Sequence, residues 1–419
     1  MVEVAEFNQW LQKGLGRAVV YLNTHDPGPY RDAVLYACTH DLTYDSSERD
    51  REMYMRDLIR SAGNEEFLRK GLLEAITTKP EDPDKFDLGQ TIESARNFAE
   101  KGDPEIRQAM YDAVVRAGFE HEGHCYSDLI KLDGLDALLF AAEHFPTAIE
   151  DDDLWQVDIL ITALQDRDGV EAANAAIQRA KEESPHLAQM LERNRKALLA
   201  SEHPGEDEVR PDYATLKRMG AEKPSPIFYA NWGRTASEQE LQAAAADVIA
   251  EQDETRLLAY LRIFWFQRFP APTDRLFELA QSSNISLARH AVAVLSRLTS
   301  PEIRDLALRF LNAPGRRGDA VKLLMDNYQP GDFQRIETRL RKPMDVDELH
   351  SVGFGVQHLV EVYRCPEAEH SLLLLYEKGP CSMCRGGFVE ALIALSRLPE
   401  WMRAECRYDS DTETRKLVQ

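Results

Sequence analysis

Cys381-Ser-Met-Cys384 is the spacing in this chain best suited to chemistry, because two thiolates three residues apart can hold a metal ion or run thiol exchange. Cys365 and Cys406 would complete a set of four sulfur ligands, with His370 as a substitute. Each of these lies about a helix away from the pair, and no second CxxC accompanies it. Zinc on Cys365, Cys381, Cys384 and Cys406 is therefore the lesser alternative, and the expectation is no metal and no cofactor. Gly379-Pro380-Cys381 reads instead as a helix start, with its cysteines capping the helix or filling a small gap between neighbours. A thiol there has its pKa depressed whether or not it is used.

A second group, His121, His124, Cys125 and Asp128, interrupts the helical pattern and carries metal or acid–base donors. It lacks HExxH spacing and an oriented second shell, so it reads as a polar loop. Glu150-Asp151-Asp152-Asp153 precedes a helix, where acids favour the positive end of the dipole. GRRGD at 315–319 has neither the spacing of a phosphate loop nor a preceding strand. Its arginines belong to a basic island, since residues 297–342 hold ten bases against six acids. Arg316, Arg317, Arg335, Arg339 and Lys342 are the candidate partner-binding residues, suited to a protein with an acidic patch. No catalytic residue is assigned.

These side chains need a frame, and the frame is legible at residues 284–312. Ala288, Ala291, Val292, Leu295 and Leu298 share one helical face, and Ile303, Leu306, Ala307, Phe310 and Leu311 share another. Thr299-Ser300-Pro301 between them supplies an N-cap and a proline at the first helical position. Similar amphipathic segments run from Phe7, Trp10, Leu11 and Leu15 to the C-terminus, with no period-two strand pattern between them. Asp103-Pro104-Glu105-Ile106-Arg107 repeats Ser300-Pro301-Glu302-Ile303-Arg304, and DTETRKLV at 411–418 is a weaker echo. In each, a cap and an early acid start the helix, and an arginine one turn in faces the adjoining pair or turn.

These segments, with PYRDAV at 29–34, resemble HEAT-like helical repeats. The resemblance implies an all-α, irregular HEAT-like α-solenoid of antiparallel helix pairs, and it implies an architecture without an activity. Pro, Gly and charge concentrate between Leu199 and Ser237, which divides the chain into an acidic array at 1–200, a linker or hinge at 201–236 and a second array at 237–419.

Charge narrows the function classes. The chain has 72 acids and 50 bases, and residues 1–200 hold 39 of the acids but 22 of the bases. Such a surface repels phosphate backbones, which argues against nucleic-acid binding by that half. The acidic N-terminus and the lack of a long apolar run point to a cytoplasmic protein without a membrane span, and six scattered cysteines point to reduced thiols. The expected function is a non-catalytic protein-binding scaffold, adaptor or inhibitory protein. The alternatives are a glycosylase-like protein that processes or binds DNA or RNA, which would need a broad basic face, and a lyase-like subunit acting on a bound cofactor.

Overall fold

The computed structural model describes all residues except 46, 49–50, 79–85, 120–124, 147–153, 203–209, 220–225 and 271. The described residues form 26 α-helices and no strand. None of these helices is long and apolar enough to cross a membrane. His121, His124 and the Glu150–Asp153 run lie outside the described residues.

The helices divide into two compact units, one made of residues 1–206 with 400–419 and the other of residues 207–399. In the first unit the helices are α1 (Val4–Lys13), α2 (Arg17–Leu22), α3 (Arg31–Thr39), α4 (Glu52–Ala62), α5 (Glu65–Thr78), α6 (Phe86–Ala99), α7 (Pro104–Ala117), α8 (Tyr126–Asp133), α9 (Leu135–Glu143), α10 (Trp155–Asp168), α11 (Val170–Glu183) and α12 (Pro185–Glu202). In the second unit they are α13 (Tyr213–Met219), α14 (Pro226–Arg234), α15 (Glu238–Ala250), α16 (Glu254–Ile263), α17 (Asp274–Ala280), α18 (Ile285–Leu295), α19 (Pro301–Leu311), α20 (Arg317–Leu324), α21 (Asp332–Leu340), α22 (Val346–Tyr363), α23 (Glu369–Lys378) and α24 (Ser382–Ala394). The last two, α25 (Glu400–Cys406) and α26 (Thr412–Lys416), return to the first unit.

The first unit has one continuous apolar core running from Phe7 to Met190. The amphipathic segment at its start is two helices, because Gly14 takes a left-handed conformation (φ 67°) and closes α1 by donating to Leu11 O. The C-terminal segment is held against this start: Ser410 N donates to Gly14 O at 2.9 Å, Arg17 pairs with Glu405 at 3.0 Å, and Arg415 pairs with Asp57 at 2.8 Å. Gly16 permits the approach, since a Cβ there would overlap Glu405 O and the backbone at Tyr408. Residues 125–133 are ordered helix, not an isolated donor loop. Cys125 is fully buried, and Asp128 is an internal partner of Arg96 at 3.1 Å.

In the second unit successive even-numbered helices pack on one another from α14 to α24, while α15, α17 and α19 each pack on the even-numbered helix that follows. The interval that composition marks as a linker contains α13 and α14. Short length and polar neighbours hide them in the sequence, yet Tyr213, Leu216, Tyr229 and Trp232 are buried, Trp232 Nε1 donates to Pro211 O at 2.8 Å, and the Arg210 guanidinium lies 4.2 Å from the Trp232 ring.

Both helices at 284–312 form where their stripes place them, but they do not pack chiefly on each other as a back-to-back pair would: α18 packs on α16, α17 and α20, and α19 packs on α20. Asn284 and Ser300 cap α18 and α19, and Ala288, Ala291, Val292, Leu295, Ile303, Leu306, Ala307, Phe310 and Leu311 are buried. Full burial of a leucine stabilises by about 1.5–3 kcal/mol, so each stripe contributes several kcal/mol where it packs on its neighbours. The recurrent arginine has a consistent use. Arg304 donates to both carboxylate oxygens of Asp332 at 2.7 and 2.8 Å and to Asn327 O, Arg107 reaches Asp133, and Arg415 reaches Asp57. Each joins its helix to a different element of the same unit.

Candidate functional site

Four successive even-numbered helices of the second unit line a cleft of about 600 Å³. Trp265 and Phe266 follow α16; Arg289, His290, Ala293, Ser296 and Arg297 come from α18 and its end; Lys322, Met325 and Asp326 come from α20 and its end; Phe354 and His358 come from α22. Two glycines draw the last two helices together. A Cβ on Gly355 would press on Val321, and one on Gly318 would overlap the Ser351 side chain. That approach brings Lys322 and Phe354 to one surface.

The cations of the cleft set its electrostatics. Arg289, Arg297 and Lys322 make no ion pair among the described residues, unlike Arg304, Arg316 and Arg317 of the same unit. Lys322 keeps access to water, but crowding in the cleft disfavours its charge, and that desolvation with the nearby Arg297 holds its pKa below the ordinary lysine value against the pull of Asp319. His290 is also held below its ordinary value, first by burial and then by Arg262 and Lys322. Its Nδ1 lies 2.7 Å from Ser286 O and its Nε2 receives Arg262 Nε at 3.3 Å, an arrangement that fits only the neutral ring with the proton on Nδ1. The Nε2 lone pair is thereby engaged, so His290 is poorly placed to act as a base. Ser296 Oγ donates to Ala293 O in its own helix, at 2.9 Å.

The walls are aromatic. The Trp265 ring stacks on His290 with centroids 5.5 Å apart, Arg234 lies 3.7 Å from the Phe266 ring centre, and Phe354 is 63 % exposed. Concave apolar surface beside an excess of positive charge, three cations to the one carboxylate of Asp326, suits an anionic group attached to an apolar or aromatic one. A larger recess of about 780 Å³ in the first unit, lined by Arg107, Tyr111, Arg116 and Asp133, differs in this respect. There Arg107 and Tyr111 both bond to Asp133, and Arg116 donates to Ile76 O.

The five basic residues singled out from the sequence are dispersed. Arg316 pairs with Asp319 at 2.7 Å, donates to Ala280 O and stacks over Phe310. Arg317 is buried against Glu348 at 3.1 Å, so its charge is compensated internally and is not presented to a partner. Arg339 bonds to Asn312 Oδ1, while Arg335 and Lys342 face solvent. The cleft draws Arg297 and Lys322 from the same basic island but also needs Arg289 and the aromatics of residues 265, 266 and 354. Lone basic and aromatic residues at such separations leave no sequence signal apart from the Trp265-Phe266 pair that follows α16.

Cys381 caps α24, its Sγ accepting from Cys384 N at 3.5 Å. The third donor near this pair is His350 of α22, whose Nε2 lies 3.1 Å from Cys384 Sγ. Cys365 Sγ lies against the Tyr328 hydroxyl, His370 is beside Glu337, and Cys406 is buried in the first unit. No protein-family model, curated protein or solved structure matches the chain.

Proposed function

We propose that this chain is a non-catalytic scaffold or inhibitory protein, a HEAT-like α-solenoid of helix pairs that binds another protein through an acidic segment seated in the cleft between α16 and α22. One observation carries the reading: Arg289, Arg297 and Lys322 converge without internal carboxylate partners beside the exposed ring of Phe354. An excess of cations without ion-pair partners favours an anionic partner, and an exposed aromatic in a cleft is a usual anchor of a protein interface. The engaged lone pair of His290 supports binding over catalysis.

The aromatic walls also suit the stacking of nucleic-acid bases, which is the second reading. A net charge of −22 weighs against it, since long-range repulsion slows approach of a polyanion, whereas a short acidic segment meets only the local field.

The test is equilibrium binding of fluorescein-labelled acidic peptides, each bearing one aromatic residue, compared with single-stranded and duplex DNA and RNA of matched charge. The expected result is salt-sensitive peptide binding that weakens at least tenfold, on the order of 1.4 kcal/mol, when Arg289, Arg297 and Lys322 are all changed to Glu. Tighter binding of the nucleic acids, lost in the same triple variant, would replace the protein reading by the second one.

A further inference from the structure

His350, Cys381 and Cys384 bring three ligand atoms within 4.8 Å of one another, from two helices that pack together. We infer that they form a zinc site in which the protein supplies two sulfurs and one imidazole nitrogen and water occupies the fourth position.

The local structure explains why these residues meet. Cys381 stands at the N-cap of α24 and Cys384 at its third helical position, so both sulfurs gather at the first turn. Backbone N–H groups and the helix dipole there favour thiolate, the form a metal binds. Packing of α22 on α24 then presents His350 Nε2 to Cys384 Sγ at 3.1 Å. In a tetrahedral zinc site with ordinary bond lengths, sulfur and nitrogen ligands lie about 3.5 Å apart and two sulfurs about 3.8 Å apart. The His350–Cys384 contact is thus about 0.4 Å inside the needed edge and the other two separations are at most about 1.0–1.3 Å beyond theirs, distances that side-chain rotation covers. Cys381 is buried, whereas Cys384 and His350 are partly open, so a metal has an approach and a water has room.

The histidine decides between the chemistries a CxxC offers. Thiol exchange requires only the two sulfurs, and here they are not joined in a disulfide. A third soft or borderline donor held in contact with one of them suits Zn²⁺, which prefers sulfur and nitrogen in tetrahedral array. Binding would release the thiol protons to solvent and fasten α22 to α24. Because α22 also carries Phe354 and His358, the site would stiffen one wall of the cleft.

The experiment uses the full untagged chain, purified under reducing conditions without chelator. Elemental analysis should find one zinc per chain, and replacement by Co²⁺ should give the visible bands of tetrahedral cobalt with thiolate charge transfer in the near ultraviolet. Cys381→Ser, Cys384→Ser and His350→Gln should each weaken metal binding at least tenfold, while Cys365→Ser and Cys406→Ser should leave it unchanged. In the unaltered chain, added zinc should slow alkylation of Cys384, a readout that requires no variant to fold. Failure to take up zinc or cobalt, with alkylation unaffected, would overturn the inference. So would a stable Cys381–Cys384 disulfide under mild oxidant in zinc-saturated protein, which would make the pair a redox site, or metal retained in His350→Gln at full affinity.

Discussion

Replacing Asp332 by Ala should loosen the second unit at the junction of α19, α20 and α21. Asp332 is fully buried, accepts both guanidinium nitrogens of Arg304 at 2.7 and 2.8 Å, and also accepts Gln329 N at 2.8 Å. Removing one member of a buried pair costs roughly 3–5 kcal/mol because the other charge is left uncompensated. The Arg304 side chain is 15 % exposed and keeps its bond to Asn327 O, so partial hydration lowers the expected cost to about 2–4 kcal/mol, including the lost Gln329 bond. Hydrogen exchange of peptides spanning 301–340 is the assay, since a two-unit chain need not unfold in one step. Protection should fall roughly 30-fold or more. The double change Arg304→Met with Asp332→Leu should recover part of the loss, because a buried pair replaced by apolar groups of similar volume is often neutral. Unchanged protection in Asp332→Ala would refute the claim that the recurrent arginine joins its helix to another element of the unit.

Two further outcomes follow from the first unit. Asp103 caps α7 and bonds to Arg69, chiefly through which its pKa is held below the usual carboxylate range. A depressed folded-state pKa gives stability that is present above the unfolded pKa of about 4 and lost as pH falls through the folded value. Asp103→Asn keeps the capping oxygen, so in acid titrations it should lower stability at neutral pH and flatten the loss below about pH 4; an unchanged acid limb would contradict the assignment. Gly16→Ala should cost about 1–3 kcal/mol through overlap with the backbone at Glu405 and Tyr408, and should raise exchange in 400–419 before other segments. Equal exchange there would show that the contact does not hold the C-terminal segment.

How much of this was legible in the sequence follows from the range of the signal. The stripes of α18 and α19 and the cap at Ser300 are encoded within a dozen residues, and the structure has them where the periodicity sets them except at Leu298, which lies beyond the end of α18 and is half-buried. The arginine of the recurrent motif was readable as facing a neighbouring element, but its partners, Asp133 and Asp332, lie 26 and 28 residues on and carry no mark of their own. Helices α13 and α14 were hidden because Pro and Gly dominate their surroundings, while the aromatic burial that stabilises them depends on the tertiary fold. The same reason conceals His350, which lies 31 positions before Cys381 on an apolar helix, and the cleft, whose residues converge only when α16, α18, α20 and α22 pack. Basic content alone also misdirects, since Arg317 contributes to it while buried against Glu348.

The central claim is that a protein partner occupies the cleft, and site-specific photocrosslinking tests it most directly. A benzophenone amino acid placed at Phe354, and at the exposed Tyr36 of the first unit as a control, would be activated in cells of the source organism. The account predicts a protease-sensitive, nuclease-resistant adduct from position 354, absent from position 36 and lost when Arg289, Arg297 and Lys322 are reversed to Glu. An adduct removed by nuclease, or the same adduct in the charge-reversed chain, would contradict it.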